Sequence, residues 1–249
     1  MSAGHREPHT QAGRAHEVLW HGQRFQLLAE RALLWPDRAM LIVSDLHLGK
    51  DAHLRRNGIP MPAGGQQTTL ERLETLIRRH RPARILIVGD LFHSRLNPGW
   101  DAFAAWREQR SEQEWVLVRG NHDILPLRSY REAGIEVAAE WQEGGIRMAH
   151  EPDPLLGPGG PARAPHPLPD QALLPPPTIC GHLHPGVRIA LGGRQRVVLP
   201  CFHLSAERLI LPAFGDLTGL HALPVGRGEL AFAMAEGRIF QVRQGNRLA

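Results

Sequence analysis

Apolar and polar positions along the chain form blocks, and the type of block changes near residue 135. Before this point, short apolar runs typical of buried strands occur at 40–44, 84–88 and 115–118, preceded by shorter strand-like segments at 18–20, 25–28 and 32–35. Between these runs, apolar residues at helical spacing predict helices over 66–80, 98–110 and 126–133. Strands that alternate with helices predict βαβ units around a central sheet.

Beyond residue 135 the pattern is mostly that of strands separated by turns. The predicted strands are 146–149, 178–180, 187–191, 196–200, 208–211, 230–234 and 238–242. Residues 151–177 hold ten prolines and several glycines, which favours either a linker or a surface excursion. We prefer the excursion, because the motifs on either side of it belong to one site. Residues 1–16 are polar and predict a disordered tail, which leaves 17–249 as a single domain.

Composition is that of an ordinary globular protein, with 42% hydrophobic and 22% charged residues in 249. The sequence has neither an apolar run long enough to span a membrane nor the pattern of a secretory signal, so we expect a cytoplasmic protein without a membrane partner. Cys180 and Cys201 are the only cysteines, and we interpret both as small core residues rather than a disulfide or zinc motif.

The formal net charge is +4, and it is carried by arginine. Lys50 is the only lysine, so 28 of the 29 basic residues (29 − 1) are arginine. The guanidinium fork suits phosphate, which makes nucleic acid a candidate partner. A compositional bias toward Ala, Arg, Gly, Pro and Leu explains the same arginine content, so charge alone does not decide between the two interpretations.

Acidic, amide and histidine side chains follow the predicted strands at five places. They are Asp45 and His47, Asp90, the segment Gly120-Asn121-His122-Asp123, His150, and the segment Gly181-His182-Leu183-His184. Because ligands of open α/β sheets bind beyond the carboxyl ends of the strands, we expect these five segments to converge. Each short motif alone is weak, whereas five of them in order after apolar strands indicate a common site.

Carboxylate oxygens and neutral imidazoles are ligands that Mn²⁺, Fe and Zn²⁺ accept. A carboxylate placed between two cations holds them roughly 3.5–4 Å apart in two-metal sites. Three of the candidate ligands, Asp90, Asn121 and His182, directly follow a glycine: Gly89, Gly120 and Gly181. We expect these glycines to let the backbone turn sharply. The sequence therefore predicts a two-metal site.

These motifs resemble those of the calcineurin-like metallophosphoesterase superfamily, over residues from about 40 to 185. The resemblance implies an α/β fold in which two mixed β-sheets pack as a sandwich flanked by helices, an αββα arrangement. By position, it also implies that the first metal is held by Asp45, His47, Asp90 and His184. The second metal is then held by the bridging Asp90 with Asn121, His150 and His182. All seven ligand positions are occupied in this sequence.

A narrower resemblance covers nearly the whole chain after the tail. Segments 30–35, 45–50, 57–60, 89–94, 201–205 and 209–215 are similar to the bacterial ligase-associated DNA-damage-response phosphoesterases. This similarity implies a Mn²⁺-dependent phosphodiesterase and DNA nuclease, an endonuclease of DNA repair, with a DNA ligase and a helicase as partners. Segment 151–177 matches no pattern of that family.

Roles for the remaining residues follow from their position beside the ligands. His122 is the candidate to contact the phosphate and protonate the leaving oxygen, and Asp123 the candidate to orient it. Lys50, Arg55, Arg56 and His93 are candidates for substrate binding, although exposed arginines are more often only solvated. Two other functions remain open at this point: a phosphoesterase of small nucleotides or monoesters, which shares every ligand, and a non-catalytic DNA-repair scaffold.

Overall fold

A computed structural model describes most of the chain. The described residues are 13–62, 64–94, 99–152, 175–192, 195–243 and 247–248. Most of the predicted tail and most of the proline-rich segment 151–177 therefore lie outside the described residues. No helix within the described ranges is long and apolar enough to cross a membrane.

The first sheet has seven strands, which lie side by side in chain order. They are β1 Ala15–Trp20, β2 Gln23–Leu28, β3 Ala32–Trp35, β4 Met40–Val43, β5 Arg84–Val88, β6 Glu114–Val118 and β7 Ile135–Ala138. The strands from β1 to β4 pair antiparallel through short turns, and those from β4 to β7 pair parallel. The carboxyl ends of β4, β5 and β6 consequently meet at one edge of this sheet.

The second sheet has ten strands from the later part of the chain. They are β8 Trp141–Glu143, β9 Ile146–Met148, β10 Thr178–Cys180, β11 Pro185–Gly192, β12 Gln195–Leu204, β13 Arg208–Ile210, β14 His221–Ala222, β15 Leu230–Ala235, β16 Arg238–Arg243 and β17 Arg247–Leu248. The central strands β9, β10 and β13 are parallel, while most other pairs are antiparallel. Both sheets are mixed, which confirms the predicted fold class.

Four α-helices occur in the described residues, all of them before residue 135. They are α1 Lys50–Arg56, α2 Gly65–His80, α3 Trp100–Glu108 and α4 Leu127–Glu132, and a short 3-10 helix spans Pro36–Arg38. The helix α1 is absent from the sequence prediction because its segment, KDAHLRR, has no apolar periodicity. Its only buried residue is Asp51.

Two apolar clusters hold the layers together. One lies between the sheets, where Ile42 and Val116 of the first sheet meet Ile179 and Phe202 of the second. The other fills the space between the first sheet and the helices. Its main side chains are Val43, Ile85, Ile87 and Leu117 from the strands, and Leu73, Ile77, Phe103 and Tyr130 from α2, α3 and α4. The strand ends around the site are therefore fixed by buried apolar packing on both faces of the first sheet.

The structure differs from the sequence prediction at two strand boundaries. β1 begins at Ala15, inside the segment 1–16 that was predicted to be a disordered tail, because His16 pairs in register with Leu27. The strand β7 at Ile135–Ala138 belongs to the first sheet, beside β6, although the change of pattern at 135 suggested the start of the β-rich half. Its burial pattern is irregular, so its alternation is weak.

Candidate functional site

The seven predicted metal ligands lie together where strand ends of the two sheets meet. Asp45 and His47 follow β4, Asp90 follows β5, Asn121 follows β6, His150 follows β9, and His182 and His184 follow β10. Ligand atoms of five of them form two compact groups: Asp45 with His47 and His184, and Asp45 with Asp90 and His150. Within each group the ligand atoms lie within 4.8 Å of one another.

The first group brings two imidazoles and a carboxylate to one point. Nε2 of His47 lies 3.3 Å from Nε2 of His184, and the same His184 nitrogen lies 3.3 Å from Oδ1 of Asp45. Oδ2 of Asp90 lies 3.7 Å from Nε2 of His47. One imidazole nitrogen of each histidine therefore faces the carboxylates.

The second group is centred on His150. Its Nε2 lies 3.5 Å from Oδ1 of Asp90, 3.2 Å from Oδ1 of Asn121 and 3.2 Å from Nδ1 of His182. Asp90 thus directs Oδ2 toward the first group and Oδ1 toward the second. A carboxylate that bridged two cations would also direct one oxygen to each side.

The hydrogen bonds of His150 test whether a cation fits here. Its Nδ1 lies 3.1 Å from the carbonyl oxygen of Val88, an acceptor, so this nitrogen carries the proton of a neutral ring. Its Nε2 then presents a lone pair to the oxygens of Asp90 and Asn121, which are also acceptors. A neutral imidazole cannot satisfy both sides; a second ring proton on Nε2 does so, and so does a metal cation next to Nε2. The donor set therefore fits a divalent metal.

The electrostatics of the site agree with this donor set. Burial lowers the pKa of His47 to about 3, which keeps the ring neutral, as a metal ligand must be. Burial alone would raise the pKa of Asp90, but hydrogen bonding and charge interaction with His150 lower it to about 2. Burial alone would lower the pKa of His150, but Asp90 and Asp45 raise it to about 9, so these carboxylates attract positive charge to this position.

The backbone is left-handed at five of the ligands. The φ angles are +53° at Asp45, +46° at His47, +53° at Asp90, +67° at His182 and +46° at His184. Residues with a side chain adopt this region at a cost of order 1–3 kcal/mol each when held there by the surrounding structure. Such conformations cluster at functional sites, and here they turn each side chain away from its strand into the common pocket.

The three glycines that precede ligands have a different role from the one predicted. Only Gly89 has a positive φ, of 78°; Gly120 and Gly181 do not. What all three provide is space for a ligand from another strand. A Cβ atom on Gly89 would overlap the His150 ring, one on Gly120 would lie 2.5 Å from the Asp90 nitrogen, and one on Gly181 would lie 2.6 Å from Oδ2 of Asp45.

The fully buried Asp45 is held in place from both sheets. The Ser44 hydroxyl donates a hydrogen bond to Oδ2 of Asp45, and the His182 backbone N–H donates to both carboxylate oxygens, at 3.0 and 3.3 Å. The carboxylate orientation therefore depends on the loop after β10. Ser44 was not predicted as a site residue, and nothing distinguishes it in the sequence from other small residues at a strand end.

Asp123, the candidate to orient His122, contacts backbone groups of the neighbouring loops. Its completely buried carboxylate accepts three backbone N–H groups: Leu91 on Oδ1 at 3.0 Å, and Asp90 and Gly120 on Oδ2 at 2.9 Å each. Burial raises the pKa of Asp123 to about 6 despite these hydrogen bonds. Asp123 is therefore a positioning residue that connects the loops after β5 and β6.

His122 is oriented by its neighbours in another way. Its backbone N–H donates to Oδ1 of Asp90 at 2.9 Å, and its Nδ1 lies 3.1 Å from the carbonyl oxygen of His93. The rings of His93 and His122 stack with their centroids 5.2 Å apart, and the His47 ring lies 5.4 Å from that of His122. Because the His93 carbonyl oxygen accepts a hydrogen bond from Nδ1 of His122, Nε2 of His122 is left available for substrate.

The predicted substrate-binding residues lie in different surroundings. Lys50 is half-buried; burial lowers its pKa, and Asp90 and Asp45 act against this, so its ammonium group lies within the field of the site. Arg55 instead donates to Oδ2 of Asp51 at 3.2 Å and to the Pro62 carbonyl oxygen at 2.9 Å. Among these basic residues, Lys50 has the environment that best fits the prediction.

Arg56 and His53 complete the surroundings of α1. Arg56 is exposed. His53, which the sequence interpretation left without a role, places its ring 5.0 Å from that of His93. No sequence pattern indicates this contact, because it depends on α1, a helix without apolar periodicity. Lys50, His53, His93 and His122 thus border the metal ligands on one side.

Comparison with known proteins gives a family model and one extensive structural match. Residues 39–160 match the model described as calcineurin-like phosphoesterase. The crystal structure of the nuclease MPE from Pseudomonas putida is similar to 92% of this chain and to 100% of that chain, with 28% sequence identity and a TM-score of 0.71. The matched nuclease therefore has the same overall architecture.

A second solved structure matches with lower similarity. A phosphoesterase from E. coli matches over 84% of this chain and 95% of that chain, with 16% identity and a TM-score of 0.37, which is too low for a comparison of sites. A search of proteins of curated function finds no match.

Proposed function

Since the chain is a metal-dependent phosphoesterase of the calcineurin-like superfamily, we propose that it is a dinuclear phosphodiesterase. Its proposed substrate is nucleic acid, and DNA in particular. The observation that carries the dinuclear part is the pair of adjacent ligand groups that share Asp45. Asp90 supports it further, because its two oxygens face different groups.

The ligands would divide between two metals. The first metal would be held by Asp45, His47, Asp90 and His184, and the second by Asp90, Asn121, His150 and His182. Oxygen and imidazole donors without thiolate suit Mn²⁺, and Fe or Zn²⁺ accepts the same set. When bound, two divalent cations lower the pKa of an attacking water and neutralise the charge that develops on the phosphoryl group.

The chain's own groups then act on the leaving side of the phosphate. As an imidazolium, His122 keeps its Nδ1–H on the His93 carbonyl oxygen and carries a second proton on Nε2, which contacts a phosphate oxygen. Transfer of this Nε2 proton to the leaving alkoxide leaves a neutral imidazole. Lys50 supplies a half-buried positive charge close to the carboxylates and binds a non-bridging phosphate oxygen. Asp123 acts through Asp90 and Gly120 rather than on substrate.

Two observations support nucleic acid as the substrate. The structure matched over nearly the whole chain is that of a nuclease, and this chain carries a formal charge of +4. A polyanionic substrate suits a basic protein because phosphate contacts dominate nucleic-acid affinity. A role in DNA repair with a ligase and a helicase follows from the family resemblance of the sequence alone.

Hydrolysis of three substrates tests this proposal. They are bis(4-nitrophenyl) phosphate, the monoester 4-nitrophenyl phosphate, and single-stranded DNA, each with Mn²⁺ added and with a chelator. We expect metal-dependent cleavage of the diester and of DNA, weak cleavage of the monoester, and loss of both diesterase and nuclease activity in Asp90→Ala.

The same assays separate the alternatives. Faster hydrolysis of the monoester than of the diester would make the chain a phosphomonoesterase. Cleavage of the small diester without cleavage of DNA would indicate a small nucleotide as substrate. A protein that binds two metals per chain and cleaves none of the three would revive the scaffold interpretation, although all seven ligand positions are occupied.

A further inference from the structure

A β-hairpin leaves the site directly after the last metal ligand. β11 begins at Pro185, the residue after His184, and pairs antiparallel with β12. In this pairing Arg188 lies opposite Val198, and Ala190 lies opposite Arg196. The hairpin is thus a two-stranded ribbon with one end at the ligand groups.

The two faces of this ribbon differ. Val187 and Ile189 are buried in an apolar cluster against β15, whereas Arg188 and Arg196 are exposed. Because strand residues alternate between faces and directly opposite residues share a face, the two arginines project from the same outer face. They are diagonal neighbours, with Cβ atoms about 7–8 Å apart.

The outer face is continuous with the ligand loop. A Cβ atom on Gly186, two residues before Arg188, would lie 2.7 Å from the Val198 side chain and 3.1 Å from Leu220 Cβ, so Leu220 covers this face. The next residue, His221, donates its backbone N–H to the His184 carbonyl oxygen. We call this surface, made of Arg188, Arg196, Val198 and Leu220, the arginine face.

The arginines of this face have no carboxylate partner among the described residues. In this they differ from arginines that are paired with carboxylates, for example Arg24 with Asp37 at 2.8 Å and Arg72 with Asp216 at 2.9 Å. Among the described residues, the structure records no ion pair for Arg188 or Arg196. Their positive charge is therefore not neutralised by the described part of the protein.

We propose that the arginine face binds the phosphate backbone of single-stranded nucleic acid where the strand leaves the metal groups. The inference rests on the proposed phosphodiesterase function. Arg188 lies four residues beyond His184, about 13 Å along an extended strand. Two neighbouring guanidinium groups on a narrow ribbon match successive phosphates of one strand, and the apolar surface of Leu220 and Val198 lies beside them for base contact.

Salt-dependent binding tests this assignment. The affinity of a fluorescein-labelled oligothymidylate is measured by fluorescence anisotropy over a series of KCl concentrations, with the corresponding RNA as a second arm. The double variant Arg188→Ala/Arg196→Ala removes two charges from the arginine face. The control, Arg78→Ala/Arg81→Ala, removes two from the carboxyl-terminal end of α2, far from the strand ends that bear the ligands.

Each phosphate contact with a single strand contributes about 0.7 to the magnitude of the slope of log K against log salt concentration. Loss of two contacts therefore reduces this magnitude by about 1.4. We expect this reduction and a weaker affinity in the arginine-face variant only, for both DNA and RNA, with unchanged hydrolysis of bis(4-nitrophenyl) phosphate. Slopes equal to those of the control would overturn the inference while leaving the proposed function intact. Failure of the wild type to bind or cleave either oligonucleotide overturns both the inference and the proposed function. A reduction of the slope for DNA but not for RNA limits the arginine face to binding DNA.

Discussion

The backbone N–H of Asp90 donates a 2.9 Å hydrogen bond to Oδ2 of Asp123, a carboxylate with no solvent exposure. The same oxygen accepts from Gly120, and Oδ1 accepts from Leu91. One side chain thus fixes the backbone on both sides of Asp90, the proposed bridging ligand. It determines where Asp90 points, without contact to a metal position.

We expect Asp123→Ala to destabilise the protein strongly. It would leave three buried N–H groups without an acceptor, at roughly 1–3 kcal/mol each, for a total of at least about 3 kcal/mol. Urea unfolding in the presence of a chelator measures this change separately from metal binding. Asp123→Asn retains one acceptor oxygen and should recover part of the loss.

The matched control for this prediction is Asp37→Ala, since Asp37 forms an exposed ion pair with Arg24. Exposed pairs contribute about 1 kcal/mol or less. If Asp123→Ala costs no more than Asp37→Ala, the role given to Asp123 is wrong. A role in positioning also requires weaker Mn²⁺ binding in Asp123→Asn than in wild type, measured by calorimetry.

Gly181→Ala should prevent normal metal binding. The added Cβ would overlap the Ser44 hydroxyl and approach Oδ2 of Asp45 within 2.6 Å, in a region where neither neighbour has room to move. Gly219→Ala is the control, because a Cβ there meets nothing within 4 Å. Metal content after dialysis against Mn²⁺ should fall in the first variant and remain at the wild-type value in the second. Equal metal content in both would contradict the packing argument.

His122→Ala should reduce turnover without removing metal. General acid catalysis contributes about 10²–10⁴-fold, so we expect a fall in kcat of this order on the diester substrate. The metal ligands remain, and two Mn²⁺ per chain should still be measured by elemental analysis. His21→Ala, an exposed histidine bonded to the Ala206 carbonyl, is the control and should behave as wild type. A kcat for His122→Ala close to that of wild type would remove His122 from the mechanism.

The two cysteines should be unreactive in the native protein. Burial raises the pKa of both Cys180 and Cys201 to about 12, and both are free thiols in the core. Because the thiolate is the reactive species, an aromatic disulfide reagent at pH 8 should modify neither thiol until the protein is unfolded, and then both. Rapid reaction under native conditions would show that the core around them opens.

The convergence of the ligands could be predicted from sequence because the apolar strands themselves are readable. Once β4, β5 and β6 are parallel, Asp45, Asp90 and Asn121 must end at the same edge. The assignment of each residue to one of the two metals, by contrast, is implied only by the family resemblance. Element type was predictable for these strands because all their side chains except the first ones of β5 and β6, Arg84 and Glu114, are buried and apolar.

Other parts of the site leave no trace in the sequence. The Val88 carbonyl that bonds to His150, and the His93 carbonyl that bonds to His122, are backbone groups that every residue has. The left-handed φ of Asp45 is imposed by tertiary contacts, since a residue with a side chain does not prefer it. The partners of Asp123 leave no trace for the same reason: they are backbone amides rather than side chains.

The position of the ligands on both sheets has a mechanical consequence. Each ligand group combines a residue that follows β4 or β5 with a histidine that follows β9 or β10, so a bound cation would act as a non-covalent cross-link between two layers otherwise joined by apolar packing. Such a link closes long loops of chain, and loop closure restricts the unfolded state more than the folded one. The metals used for hydrolysis would then also stabilise the packing of the two sheets. A shift of one sheet relative to the other would change catalysis before it changed secondary structure.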